Sequence, residues 1–157
     1  MSTRSRIAIK NNDGSYTSIY CHNDGYPSYN GRMLDSYYND KSKAQKLINL
    51  GDISSLQKNL EPTGDHSFNN PEKDVTVAYG RDRGETNVDP IKSSDIDELQ
   101  ADCDACDAEY AYVFDDDHWD AYRVTHYSLE PIEPNSMYES NLTRSILNNL
   151  NESFDWD

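Results

Sequence analysis

The sequence predicts one small α+β domain, built on a mixed or antiparallel sheet of about five strands with three to four helices. Three observations predict this class. The 157 residues match the length of one ordinary domain, short β-prone runs bounded by turn residues lie in both halves, and apolar residues recur at helical spacing between and after them. Because 35% of the residues are hydrophobic, we expect a thin core and long loops.

The first half predicts a hairpin followed by two helices. Residues 7–9 and 16–21 are β-prone and flank a turn sequence that ends at Gly14. Residues 21–27 are rich in turn formers and predict a loop. Apolar residues at helical spacing then predict helices over residues 30–38 and 42–50, with Gly51 as the stop, and residues 61–73 predict a long loop.

The second half predicts three strands and two helices. Residues 75–79 form a β-branched run, and a loop bracketed by Gly80 and Gly84 follows. Ser93 or Ser94 is expected to cap a short helix that contains Ile96 and Leu99. Residues 110–114 and 119–124 predict a second hairpin around residues 115–117, and residues 135–154 predict an amphipathic helix.

The charge of the chain is strongly asymmetric. Residues 1–60 carry 8 Lys/Arg against 5 Asp/Glu, a net +3, whereas residues 61–157 carry 6 against 24, a net −18. A duplex is itself densely negative, so a surface this acidic disfavours direct binding to nucleic acid. The same field attracts a basic nucleic-acid-binding protein, such as a CRISPR or restriction nuclease. No run of apolar residues is long enough for a membrane span or a signal peptide, which predicts a cytoplasmic protein.

Five segments carry a resemblance to a known family. They are residues 2–10 (STRSRIAIK), 18–27 (SIYCHNDGYP), 50–56 (LGDISSL), 66–68 (HSF) and 75–85 (VTVAYGRDRGE). Together they resemble a family of small proteins from bacteriophages and mobile elements of Gram-positive bacteria. The resemblance covers about the first 90 residues. It implies a genomic setting, and it transfers no reaction, cofactor or catalytic residue.

An acidic run in the second half is the first candidate site. Between residues 95 and 120 there are eleven carboxylates and no Lys or Arg. They are Asp95, Asp97, Glu98, Asp102, Asp104, Asp107, Glu109, Asp115, Asp116, Asp117 and Asp120. A solvated face or a disordered loop would explain such a run. Together with the phage-like setting, however, it predicts a protein that binds a host defence enzyme by presenting carboxylates where phosphates would stand.

Basic and aromatic residues suggest a second kind of site. Arg81 and Arg83, together with Tyr20 and Tyr26, could bind a nucleotide immune signal, because guanidinium groups suit phosphate recognition. Pairing of both arginines with the excess carboxylates is the structural alternative.

The cysteines allow two further interpretations. Cys103 and Cys106 could join Cys21 and His22 in a zinc site, but a single CxxC motif is weak evidence for a metal. Cys21 and His22 also have the residue types of a small Cys/His enzyme. Adjacent side chains on extended backbone point to opposite sides, however, which favours a structural role for them. We therefore expect a protein that is not an enzyme and has no metal or other cofactor.

Overall fold

The structure, a computed structural model, describes residues 2–133, so the helix predicted over residues 135–154 lies outside the described residues. Eight strands in this part of the chain form one mixed sheet with four α-helices, which confirms the predicted α+β class. The strands are β1 (Ser5–Lys10), β2 (Tyr16–Cys21), β3 (Ile53–Ser55), β4 (Val77–Ala78), β5 (Ile91–Ser93), β6 (Tyr110–Asp115), β7 (His118–Val124) and β8 (Leu129–Ile132). The helices are α1 (Arg32–Tyr37), α2 (Lys41–Asn49), α3 (Tyr79–Arg83) and α4 (Ile96–Ala105), and a π-helical turn at Pro27–Gly31 leads into α1.

The sheet has the strand order β4-β3-β2-β1-β6-β7-β8, and β5 pairs with the first half of β2. The strands β1 and β6 are parallel, as are β2 and β3, and the remaining pairs are antiparallel. The two predicted hairpins, β1–β2 and β6–β7, are both confirmed. The added strands β3, β5 and β8 have three or four residues each, too few to show the alternation by which a strand is recognised in sequence.

Alternate residues of the central strands face two different helical layers. Ile7 and Ile9 of β1 point to the side covered by α1 and α2, where the larger core cluster also contains Leu47 and Tyr112. Ala8 points to the other side, where it packs with Leu99 of α4. We call these sides the α2 face and the α4 face. None of the helices within residues 2–133 is long and apolar enough to cross a membrane.

The helix predicted over residues 42–50 is confirmed as α2, and its ends follow ordinary capping chemistry. The Asp40 side chain accepts a hydrogen bond of 2.8 Å from the N–H of Lys43 at the start of the helix. Gly51 follows the end of the helix with φ +77°, and a Cβ there would lie 2.3 Å from the backbone oxygen of Val88. Only glycine therefore fits this stop.

Three predictions for the second half were wrong. The strand predicted over residues 75–79 pairs with β3 only at Val77–Ala78, and the predicted glycine-bracketed loop is the short helix α3. The carboxylate of Asp82 accepts a hydrogen bond of 2.8 Å from the N–H of Ala78, so the chain turns into a helix at the point where the strand would continue. The cap of α4 is Asp95 and neither of the two predicted serines, since its side chain accepts from the N–H of Glu98.

Candidate functional site: an acidic surface on the α4 face

The structure places the acidic run on an ordered helix and an ordered hairpin. Six of its carboxylates lie on or beside α4, which packs on the sheet through the buried side chains of Leu99 and Cys103. Glu109 directly precedes β6, and its N–H donates to the backbone oxygen of Arg4. The remaining carboxylates belong to the β6–β7 hairpin. The backbone of the run is therefore held by secondary structure along nearly its whole length.

The hairpin carboxylates lie on the same side of the sheet as α4. Asp120 is paired with Val113, which belongs to the core cluster under α4. Asp115 follows Phe114, whose ring is buried on the α2 face, so strand alternation turns Asp115 to the α4 face. Asp116 and Asp117 form the exposed tip of this hairpin. We call the eleven carboxylates of the run, in this arrangement, the acidic surface.

Some members of the acidic surface hold the local structure together. Asp95 caps α4, and Glu98 accepts hydrogen bonds from the N–H and the hydroxyl of Ser94. Asp102 accepts a hydrogen bond of 2.5 Å from the hydroxyl of Ser93 on β5. These three carboxylates stabilise the start of α4 and its contact with the sheet, and a partner would meet them in fixed positions.

Few positive groups balance the acidic surface. Within residues 2–133 its ion pairs to Lys or Arg are Arg4 with Asp107 and Lys10 with Asp115, each at 3.9 Å and each solvent-exposed. Exposed pairs at such distances contribute about 0–1 kcal/mol to stability. Eleven carboxylates face two Lys/Arg partners, so the surface keeps a strongly negative field.

Two histidines add contacts that the sequence did not predict. His126 Nδ1 lies 2.9 Å from Asp104 Oδ1. His118 lies between two carboxylates, with Nδ1 2.8 Å from Asp117 and Nε2 3.3 Å from Asp120. The hydrogen bond to Asp117, assisted by the charge of Asp120, raises the pKa of His118 above its ordinary value of 6.5. Protonation of His118 therefore moderates the negative charge at this end of the surface.

An open groove of about 470 Å³ lies at the C-terminal end of α4. Its lining includes the carboxylates of Asp104, Asp107 and Glu109 together with Arg123 and His126. A groove with three carboxylates can accept an extended Lys or Arg side chain from a partner, because the stem of such a side chain packs while its charged head is paired.

The structure separates the residues of the possible zinc site. Cys21 belongs to the core cluster of the α2 face, whereas Cys103 belongs to the cluster of the α4 face, so the sheet lies between the two thiols. Among residues 2–133 no group of three or more His, Cys, Asp or Glu side chains could hold a metal ion. Burial raises the pKa of Cys103 to about 12, which keeps its thiol protonated.

Cys21 and His22 do not form a nucleophile and base pair. The Cys21 thiol is fully buried on the α2 face, and burial raises its pKa to about 11. The His22 ring contacts Tyr20, with Nδ1 2.7 Å from the phenol oxygen. The alternation of β2 turns the Cys21 side chain to the face opposite to that of Tyr20. Because the His22 ring contacts Tyr20, the Cys21 thiol and the His22 imidazole cannot act on the same atom.

The arginines of the possible nucleotide site are engaged within the protein. The Arg81 guanidinium donates to the backbone oxygens of Leu60 and Thr76 and to the Asp82 carboxylate. Arg83 pairs with Glu85 and lies over the Phe68 ring at 4.1 Å. Both arginines thus have carboxylate partners.

The two tyrosines of that possible site are placed differently. Tyr20 lies on the α4 face beside His22, and the Tyr26 hydroxyl donates to Asp24 at 3.4 Å in the loop after β2. The structure therefore does not gather Arg81, Arg83, Tyr20 and Tyr26 into one arrangement of free ligand-binding groups.

The residue that sequence reasoning missed most clearly is His66. Its side chain is 1% exposed, its Nδ1 accepts a hydrogen bond of 2.9 Å from the N–H of Glu72, and its Nε2 donates to Asp82 at 3.0 Å. Burial pushes the pKa of Asp82 up, but hydrogen bonds from Arg81, Ala78 and His66 outweigh burial and hold it below the ordinary value. His66 thereby ties the long loop to α3. A lone histidine among turn formers gives no sequence signal for this role.

Comparison of the chain with protein-family models, with curated proteins and with solved structures found no match in any of the three. The function proposed for the chain therefore depends on its charge and geometry, together with the resemblance carried by its first 90 residues.

Proposed function

We propose that the chain is a phage-encoded anti-defence protein, of the anti-CRISPR or anti-restriction type. It binds a basic, nucleic-acid-binding host enzyme through the acidic surface and occupies the place of the enzyme's nucleic acid. It acts in the cytoplasm of the bacterial host, without catalysis of its own and without binding nucleic acid itself.

The observation that carries this proposal is the placement of the eleven carboxylates on or beside an ordered helix, α4, and an ordered hairpin, β6–β7. A solvated, disordered run could neither present charge at constant positions nor keep a shaped groove. A hairpin of the sheet and a helix packed on that sheet do both, and only two exposed Lys/Arg pairs offset the charge within residues 2–133. Such a field attracts a basic channel and speeds the encounter with it.

The phage setting is supported by the resemblance of the first 90 residues described above. Mobile elements meet nucleases that must bind DNA or RNA through Lys and Arg side chains. An acidic protein that fills such a channel blocks the enzyme and offers no strand to cut.

The test is a capture experiment with two charge-matched variants. The first removes five exposed carboxylates of the acidic surface that do not cap or anchor α4, through D97N, D104N, D107N, E109Q and D116N. Asparagine suits Asp107 and Asp116 because both have positive φ, which Asn tolerates. The control removes five carboxylates from elsewhere on the chain, through D35N, E61Q, D65N, E130Q and E133Q.

The tagged wild-type chain is expected to capture a nucleic-acid-binding enzyme from host lysate. Duplex DNA or guide RNA should displace that enzyme, and the acidic-surface variant should lose it while the control variant retains it. Equal capture by both variants, or capture that nucleic acid does not displace, would reject the proposal.

A further inference from the structure

The acidic surface leaves unexplained an arginine buried in the sheet. Arg6 of β1 is only 5% exposed and faces the α4 layer. Its Nε donates to the hydroxyl of Ser18 at 2.8 Å, its Nη2 lies 3.4 Å from the Ser18 carbonyl oxygen, and its Nη1 lies 3.7 Å from the sulfur of Cys106. Among residues 2–133 no carboxylate oxygen lies within 4.0 Å of this guanidinium.

A buried charge without a counter-ion is costly, so a fold retains one only where something compensates it. The C-terminal end of α4 lies beside Arg6 at Cys106 and supplies roughly half a negative charge from the helix dipole. The hydrogen bonds to Ser18 engage Nε and Nη2 of the guanidinium but bring no charge. Part of the positive charge of Arg6 remains available to an anion.

Three neighbours of Arg6 add hydrogen-bond donors: Arg4, which precedes it in the sequence, and Tyr20 and His22, which follow it. The Arg4 side chain is 41% exposed. Burial raises the pKa of the Tyr20 phenol, and the nearby Arg4 guanidinium acts in the opposite direction. Tyr20 is paired with Arg6 across β1 and β2, and its hydroxyl contacts His22 at 2.7 Å. Two guanidinium groups, a phenol and an imidazole therefore meet on the α4 face beside the end of α4.

The nearby carboxylates leave this cluster incompletely neutralised. Asp107 lies 3.9 Å from Arg4 and is 82% exposed, so water screens the pair. Asp52 accepts a hydrogen bond from the N–H of Tyr20 at 2.9 Å. Burial raises its pKa, with the backbone hydrogen bond and Arg6 acting in the opposite direction. Neither carboxylate forms the bidentate pair that arginine makes with a dedicated counter-ion.

We propose that Arg4, Arg6, Tyr20 and His22 form a binding site for the phosphate group of a small ligand. Planar guanidinium groups with a hydroxyl and an imidazole are the donors that proteins use for phosphate oxygens. The half-exposed side chain of Arg4 gives access from solvent, and Arg6 supplies a charge that water screens little.

This site has no residue in common with the acidic surface, which it meets at the exposed pair of Arg4 with Asp107, and it uses the part of the chain with a net charge of +3. Its four residues come from two of the segments that carry the family resemblance, 2–10 and 18–27, which the acidic surface does not use. Failure of one proposal therefore leaves the other intact.

The test is an NMR titration of the full chain with inorganic phosphate, ribose 5-phosphate and AMP, each against sodium chloride at equal ionic strength. Backbone amide signals and the side-chain Nε–H of the arginines report the site. Phosphate groups are expected to shift the signals of all four residues in a saturable way, with a Kd on the order of 1 mM or tighter. If inorganic phosphate binds most tightly of the three probes, free phosphate is the ligand. If ribose 5-phosphate and AMP bind more tightly, the ligand is a phosphorylated metabolite or nucleotide.

Three variants separate binding from folding. Arg4→Gln removes an exposed donor and is expected to weaken binding about tenfold, and Tyr20→Phe should weaken it by a smaller factor. Arg123→Gln removes an exposed arginine of β7 that lies over the Tyr110 ring, and should leave the affinity unchanged. Three outcomes would overturn the site: shifts that chloride reproduces, shifts that do not saturate, or the same phosphate affinity for the variants Arg4→Gln and Arg123→Gln. Arg6 would then have only a structural role, in its contact with α4.

Discussion

Single residues in this chain perform structural work that their charge alone would not suggest. His66 is the clearest case, because its two ring nitrogens join the long loop at Glu72 to the carboxylate of Asp82. Asp82 in turn connects to Arg81 and to the backbone of Ala78. The glycine-bracketed segment is a fixed corner of the fold for this reason, and its arginines are held in internal contacts.

Replacing His66 with leucine is expected to lower the free energy of unfolding by about 1–3 kcal/mol, because the partly buried N–H of Glu72 and the carboxylate of Asp82 each lose a partner. His126→Leu is the matched control. Its side chain is 82% exposed, so its removal should change the free energy by less than about 0.5 kcal/mol. Urea denaturation of the two variants measures the difference, and equal losses would contradict the role given to His66.

A second residue-scale prediction concerns His118. Its pKa in the folded chain should lie above 6.5, because the protonated ring is bonded to Asp117 and is close to Asp120. Since the folded pKa is raised, the small stabilisation is fully present below the unfolded value and is lost as the pH rises through the folded value. An NMR titration of the ring protons measures this pKa, and Asp117→Asn should lower it. An unchanged value in that variant would contradict the contact.

At the scale of elements, the ends of helices and the short strands show where sequence reasoning succeeds and where it stops. The hairpins and α2 could be predicted because their alternation, turn residues and capping signals are local. The strands β3 and β5 could not, since both exist through pairing with β2, which no local pattern records. The predicted cap of α4 was one or two residues too early, because Ser93, Ser94 and Asp95 are all residue types that favour the cap position. Local sequence does not show that the Ser93 hydroxyl is already engaged with Asp102, which leaves the cap position to Asp95.

The candidate sites divide in the same way. The acidic run is visible in the sequence because its carboxylates are consecutive or nearly so, and α4 and the β6–β7 hairpin were both predicted around it. The cluster of Arg4, Arg6, Tyr20 and His22 was not predicted, because it depends on the register of β1 with β2 and on the end of α4 reaching Arg6.

At the start of α4, one carboxylate stabilises the fold by capping the helix, whereas another is exposed and contributes little to stability. Asp95→Ala removes the side chain that accepts the N–H of Glu98, and should lower the free energy of unfolding by about 0.5–2 kcal/mol. Asp97→Ala, two residues later and exposed, should change it by less than about 0.5 kcal/mol. Thermal and urea unfolding of both variants test this, and a loss at Asp97 as large as at Asp95 would contradict the assignment of the cap.

At the scale of the whole molecule, the fold turns an uneven distribution of charge along the sequence into an uneven surface. Strands β1 and β2 of the slightly basic first part lie near the centre of the sheet, whereas the eleven carboxylates lie on or beside α4 and the β6–β7 hairpin. The field of these carboxylates is the property on which the proposed inhibition depends. It acts over a Debye length of about 8 Å at physiological salt and weakens as salt rises.

The most direct test of this account is the affinity of the wild-type chain for its captured host enzyme, measured from low to high salt beside the variant D97N, D104N, D107N, E109Q and D116N. The account predicts that log Kd rises steeply with log salt for the wild-type chain, and that the variant binds more weakly with a clearly shallower slope. An affinity that salt leaves unchanged, or equal slopes for the two chains, would contradict it.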